Sequence, residues 1–142
     1  MGERIHGLMA ATHTPMRPDG GVDLSLVEKQ AELLAGCGVV GAFVCGTTGE
    51  GPSLTVDERL RLAERWAQVA RGRLKVVVHV GHLCLRDAAA MAAHAARVRA
   101  DGIAMLPPFY FRCSSVSSSP PGARRSRRRR LACRSITTTY RP

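Results

Sequence analysis

Aromatic residues are scarce in this 142-residue chain: three Phe, two Tyr and one Trp make up 4% of it. Alanine, glycine, leucine and valine dominate instead. No stretch is apolar for long enough to span a membrane. The N-terminal Met1-Gly2-Glu3-Arg4-Ile5-His6 lacks the long apolar centre of a signal peptide. Gly2 suggests myristoylation, but His6 stands where that motif wants Ser or Thr. The five cysteines (Cys37, Cys45, Cys84, Cys113, Cys133) are odd in number and scattered, and none forms a C-x-x-C pair. They read as free thiols in a reducing, cytoplasmic compartment. His6, His13 and His94 keep no metal-binding spacing, so no metal is expected, and nothing implies another cofactor. There are only two lysines, Lys29 and Lys75.

Acidic residues are absent from the last thirty positions, and this divides the chain. The formal charge is +10. Residues 1–112 carry 13 Lys and Arg against 11 Asp and Glu, a net +2, whereas residues 113–142 carry eight arginines and no acid. Two units follow: 1–112, long enough to bury a core, and 113–142, an Arg/Ser-rich tail.

In the first unit, apolar runs alternate with amphipathic ones. Gly7–His13 reads as a short buried strand stopped by Thr14-Pro15, and Pro18-Asp19-Gly20-Gly21 as a turn. Asp23 or Ser25 can cap a helix carrying Leu24, Val27, Ala31 and Leu34 at helical spacing, ended by Gly36 and Gly38. Val39–Cys45 is a continuous apolar run of the kind parallel sheets use. Thr55-Val56-Asp57-Glu58 is a capping box that starts a helix running to about Ala70. Leu74–Val80 predicts a third strand, Asp87 the start of a third helix ending at Asp101-Gly102, and Ile103–Leu106 a fourth strand. Pro107-Pro108-Phe109-Tyr110-Phe111 follows as a loop.

The order β-α-β-α-β-α-β with short connections predicts parallel strands and right-handed crossovers. Either an open α/β sheet or half of an eight-stranded barrel fits. Both place ligands at the C-terminal ends of the strands. Thr47, Thr48, His82 and Tyr110 fall just past such ends, and Lys75 falls at the opposite one.

Gly46-Thr47-Thr48-Gly49-Glu50 is the stretch best suited to chemistry. Two threonines offer hydroxyls and backbone N–H groups, and the flanking glycines let the chain bend and a small anion approach. A carboxylate fits such a turn; an ordinary strand-to-helix loop is the plainer reading. Tyr110 offers a phenol for proton relay or substrate hydrogen bonding, or for packing on the rim. His79, within an apolar strand, is expected to be a buried, hydrogen-bonded core histidine. His82 lies in a loop with no evident partner, and Glu50 is expected to be structural. Neither lysine is placed to act as a desolvated nucleophile.

Four segments in order, GLMAATHTPM (7–16), FVCGTTGEGPSLTVDER (43–59), VVVHVGH (76–82) and DGIAMLPPFYF (101–111), carry a resemblance. Residues 5–112 resemble the N-acetylneuraminate lyase and dihydrodipicolinate synthase family of pyruvate-handling class I aldolases. GEG, HVG and PPFYF lean towards the sialic acid lyase branch, with the synthase branch as the alternative. The resemblance implies the N-terminal half of a (β/α)8 TIM barrel, a cytoplasmic homotetramer in the full-length family, and a keto acid or sialic acid as ligand. It implies that Thr47 and Thr48 bind the substrate carboxylate and that Tyr110 is the catalytic tyrosine of the fourth loop. In the family, a lysine on the sixth strand forms a Schiff base and a tyrosine on the fifth relays the proton. This chain is expected to stop short of both and to be inactive. His13 departs from the family pattern, so the first strand is expected to pack differently there.

The tail SSVSSSPPGARRSRRRR reads as disordered, basic low complexity. At face value it would bind nucleic acid or acidic lipid through phosphate contacts. The preferred reading is a frame slip near Arg112. Shifting the codons of Arg127–Pro142 by one base permits AAAPSLPFYYYHIPA, which resembles the fifth-strand tyrosine motif of sialic acid lyases.

Overall fold

A computed structural model describes residues 5–106. The architecture is a four-stranded, all-parallel sheet in the order β1-β2-β3-β4, with a helix in each connection. The strands are β1 (Met9–Ala11), β2 (Gly41–Val44), β3 (Lys75–His79) and β4 (Gly102–Ala104). The helices are α1 (Val27–Gly36), α2 (Val56–Val69) and α3 (Leu85–Arg97).

The strands are shorter than the apolar runs that announce them. β1 keeps three residues of Gly7–His13. Gly7 sits at φ 121°, outside the strand region. Single bonds still extend the ladder, from Val40 N–H to Leu8 O (2.9 Å) and from Thr12 N–H to Phe43 O (3.1 Å). β4 begins one residue early, at Gly102, because Asp101 pins its start: its carboxylate accepts from Val76 N–H (2.9 Å). The same carboxylate pairs with Lys75 Nζ at 3.1 Å, so Lys75 is an ion-pair partner at the N-terminal end of the sheet. α3 begins at Leu85, not Asp87, with Asp87 in its first turn.

Register explains the core. Ala42 pairs with Val76 and Val44 with Val78, and these four side chains face the helices. They pack with Leu62, Trp66, Val27, Ala31, Met91 and Ala95. Phe43, Val77 and His79 alternate with them and so belong to the other face, where the Phe43 and His79 rings lie 6.2 Å apart. Trp66, fully buried, is the anchor of α2. Its burial and that of Leu62 each contribute about 1.5–3 kcal/mol by area.

The helix ends follow their sequence signals. Thr55 Oγ1 accepts from Glu58 N–H (3.3 Å), and Glu58 Oε2 accepts from Thr55 N–H (2.8 Å), completing the capping box. Asp23 accepts from Ser25 N–H (3.0 Å) and opens a single 3-10 turn, Leu24–Leu26, that leads into α1. Gly38 and Gly72 lie at φ 73° and 77° after α1 and α2, where a side chain would be strained.

Candidate functional site

Every strand points the same way, so the β2–α2 and β3–α3 loops share the C-terminal end of the sheet. β2 delivers the chain to Cys45, which turns it with φ 59°. The next residues fold into a compact turn. Glu50 N–H donates to Thr47 O (3.0 Å) and Gly51 N–H to Gly46 O (3.0 Å), with Glu50 itself at φ 54°.

Two glycines allow the turn to sit this deep. A methyl group on Gly49 would stand 2.8 Å from Thr12 O, and one on Gly51 would collide with the Cys45 carbonyl. The buried hydroxyl of Thr14 donates to Gly49 O at 2.6 Å. The residues just past β1 therefore hold the turn, Thr14 through that bond and Thr12 through close packing; the sequence marked Thr14 only as the stop of the strand and Thr12 not at all. The Thr-Pro pair after an apolar strand was the available signal.

Thr47 and Thr48 are exposed at the top of this turn. Their hydroxyls and backbone N–H groups make no hydrogen bond among the described residues. Four donors are thus gathered on two adjacent residues above a buried, hydrogen-bonded base. Such a set fits a small anion, and a carboxylate can accept several of them together. Glu50 contributes through its backbone, and its carbonyl accepts from Ser53 N–H (2.8 Å).

Arg59 escaped the sequence reading, although it lies in the first turn of α2. It is 3% exposed, yet it is a cation. One terminal nitrogen donates to His79 O (2.6 Å) and the other to Gly81 O (3.1 Å). It thereby ties α2 to the end of β3. The Cys45 thiol lies against it; burial pushes that thiol up to about 11, so it is neutral. Burial also lowers Arg59 from its ordinary value, with Cys45 opposing.

His79 departs from expectation. It is half-buried, and neither ring nitrogen has a hydrogen-bond partner among the described residues. The reason is its face: it alternates with the core valines and meets Phe43 instead of the helix layer. Burial, then the Arg59 charge, holds it below the usual imidazole range. His82 is exposed, accepts from Cys84 N–H at Nδ1 (3.0 Å) and lies 3.4 Å from Asp87. His13 is exposed just beyond β1, and β1 pairs with β2 regardless. Tyr110 and the tail 113–142 lie outside the described residues. Among the described residues no three His, Cys, Asp or Glu are grouped to hold a metal ion. No described helix is long and apolar enough to cross a membrane.

The described residues thus form a parallel β/α sheet with four unengaged donors just past its second strand. The profile of the dihydrodipicolinate synthetase family matches residues 4–118. The chain belongs to this family. The family match continues a few residues past the compositional seam at Arg112. Among curated members, the N-acetylneuraminate lyase of Danio rerio is 44% identical over 112 residues, covering 78% of this chain and 36% of the relative. Among solved structures, Proteus mirabilis N-acetylneuraminate lyase superposes with a TM-score of 0.78 at 37% identity, covering 81% of this chain and 39% of that one. YagE, a dihydrodipicolinic acid synthase family protein of E. coli K12 solved in complex with pyruvate, superposes with a TM-score of 0.73 at 28% identity, over 76% and 36%. The described α/β unit is the N-terminal part of this family's TIM barrel. The chain spans a little over a third of the length of the curated relatives it matches.

Proposed function

We propose that this chain carries the carboxylate-binding portion of an N-acetylneuraminate lyase-like class I aldolase, which cleaves a sialic acid to pyruvate and N-acetylmannosamine. The observation that carries it is the set of unengaged donors on Thr47 and Thr48 at the C-terminal end of a parallel strand. Those donors take the carboxylate shared by the sugar acid and pyruvate. Tyr110 is the proposed catalytic phenol of the fourth loop. The wording GEG, HVG and PPFYF supports the lyase branch over the synthase branch.

In this mechanism a lysine amine attacks the substrate ketone and loses water to form a Schiff base, which accepts the electron pair released on C–C cleavage. Neither lysine of this chain suits that step. Lys75 pairs with Asp101 at the far end of the sheet, and Lys29 is exposed on α1. The 142-residue chain is therefore proposed to hold substrate without turning it over. Incubation with pyruvate and borohydride is expected to leave its mass unchanged; an adduct on Lys29 or Lys75 would overturn the assignment. We further propose that residues beyond about Arg112 are read out of frame. Resequencing the gene is expected to find a single-base shift that restores a YYYHIP-like stretch, and finding none would end the idea.

A further inference from the structure

No group among the described residues balances the charge of Arg59. Burying a guanidinium costs several kcal/mol unless it is paired or well hydrogen-bonded. Among the described residues Arg59 has no carboxylate partner. Two carbonyls accept from its terminal nitrogens, and its Nε has no partner there. The titratable groups beside it are a thiol and an imidazole, and burial favours the neutral form of both. The result is a buried net positive charge at the C-terminal ends of β2 and β3.

Its position relative to the threonine turn is defined by contacts. Cys45 is the hinge residue of the turn and lies against the guanidinium. Gly49 and Gly51 pack on the Cys45 backbone. Thus Cys45 links the two: its side chain neighbours the buried guanidinium of Arg59, and its backbone carries the packing of Gly49 and Gly51 in the turn. A charge so placed is weakly screened. The only carboxylate within the turn is Glu50, exposed and without a side-chain hydrogen bond among the described residues. An anion held by Thr47 and Thr48 would share the turn with the Glu50 carboxylate and have the Arg59 charge next to Cys45, the residue from which the turn starts.

We propose that Arg59 is a positioning residue for a 2-keto carboxylate at Thr47 and Thr48. It braces the end of β3 through His79 O and Gly81 O, and its uncompensated charge makes the turn selective for an anion. The role rests on the carboxylate reading of the turn. Arg59 does not touch the ligand; it acts through Cys45 and the turn that starts there.

The test uses the 142-residue chain, with pyruvate and its uncharged methyl ester as probes, followed by the amide chemical shifts of Thr47, Thr48 and Gly49. Pyruvate is expected to move these signals. Arg59→Gln should weaken pyruvate about tenfold or more while leaving the ester nearly unchanged. Arg59→Lys, which keeps the charge and loses the fork, should retain most of the preference for pyruvate. If pyruvate moves none of these signals in the unaltered chain, the carboxylate reading fails and this role with it. If it does move them, but Arg59→Gln weakens neither probe or weakens both alike, the carboxylate reading stands and Arg59 is structural only. Should Arg59→Gln lose its circular dichroism signature of folding, the lysine variant decides. A preserved ratio of pyruvate to ester affinity supports the charge, and a lost ratio overturns it.

Discussion

Cys45 is buried and His79 half-buried, and the charge of Arg59 acts on both, yet they differ in what solvent can do to them. The Cys45 thiol, pushed up to about 11 by burial, holds roughly one part in a thousand as thiolate near pH ~8. Iodoacetamide at that pH is therefore expected to label the exposed Cys37 and Cys84 well before Cys45, with urea abolishing the difference. Peptide mapping by mass spectrometry checks this; equal native labelling would contradict the burial. His79 is held below its ordinary value of 6.5 by burial and by Arg59. Below that value the unfolded chain takes up a proton that the folded chain resists. The stability contribution is thus complete above about pH 6.5 and is lost as pH falls. In urea titrations, the drop in midpoint between about pH 7.5 and about pH 5.5 should shrink in His79→Gln. An unchanged drop would show that His79 titrates as freely folded as unfolded. Neither behaviour was legible in the sequence. Val-Val-Val-His reads as a core strand, and only the pairing of β3 with β2 decides that His79 faces Phe43 and not α2.

At the scale of an element, α2 was the most legible. Its capping box, its apolar spacing and its closing Arg71-Gly72 are local signals, and local hydrogen bonds satisfy them. The Thr55 hydroxyl, and then its backbone N–H, holds the Glu58 carboxyl below the usual range. Thr55→Ala is expected to cost about 1 kcal/mol, read as a lowered urea midpoint with an unchanged slope. No change at all would mean that the packing of Trp66 and Leu62 alone fixes the helix start. Strand ends were less legible, because an apolar run marks burial and not pairing. Val80 belongs to the core and is 2% exposed, yet it lies beyond the end of β3. Arg59 was missed for a related reason. A charged residue in a helix reads as solvated, and its burial follows from the carbonyls that β3 presents to α2.

For the molecule as a whole, the sheet order leaves β1 and β4 each with one strand neighbour among the described residues. Unpaired strand edges invite association. Light scattering on the purified chain is expected to give a mass above the 15.3 kDa of one copy. A strict monomer would mean that both edges are protected. The tail can be separated from this effect. If its eight arginines bind phosphates, retention on nucleic acid should fall steeply with salt and vanish on deleting residues 113–142. Retention that survives the deletion would place binding in the folded part.

The residues alone determined the alternation of strands and helices, hence parallel pairing, and hence the end of the sheet where Thr47 and Thr48 stand. Those conclusions rest on period, capping and chain order, which are local. Tertiary structure decided which atoms at that end are still available. It engaged Gly46, Thr47 and Gly49 through their carbonyls, left four donors on Thr47 and Thr48 open, and buried the cation of Arg59 against the end of β3. Hydrogen bonding and desolvation depend on distant neighbours, such as Thr14 on Gly49, 35 residues away. No local pattern encodes them.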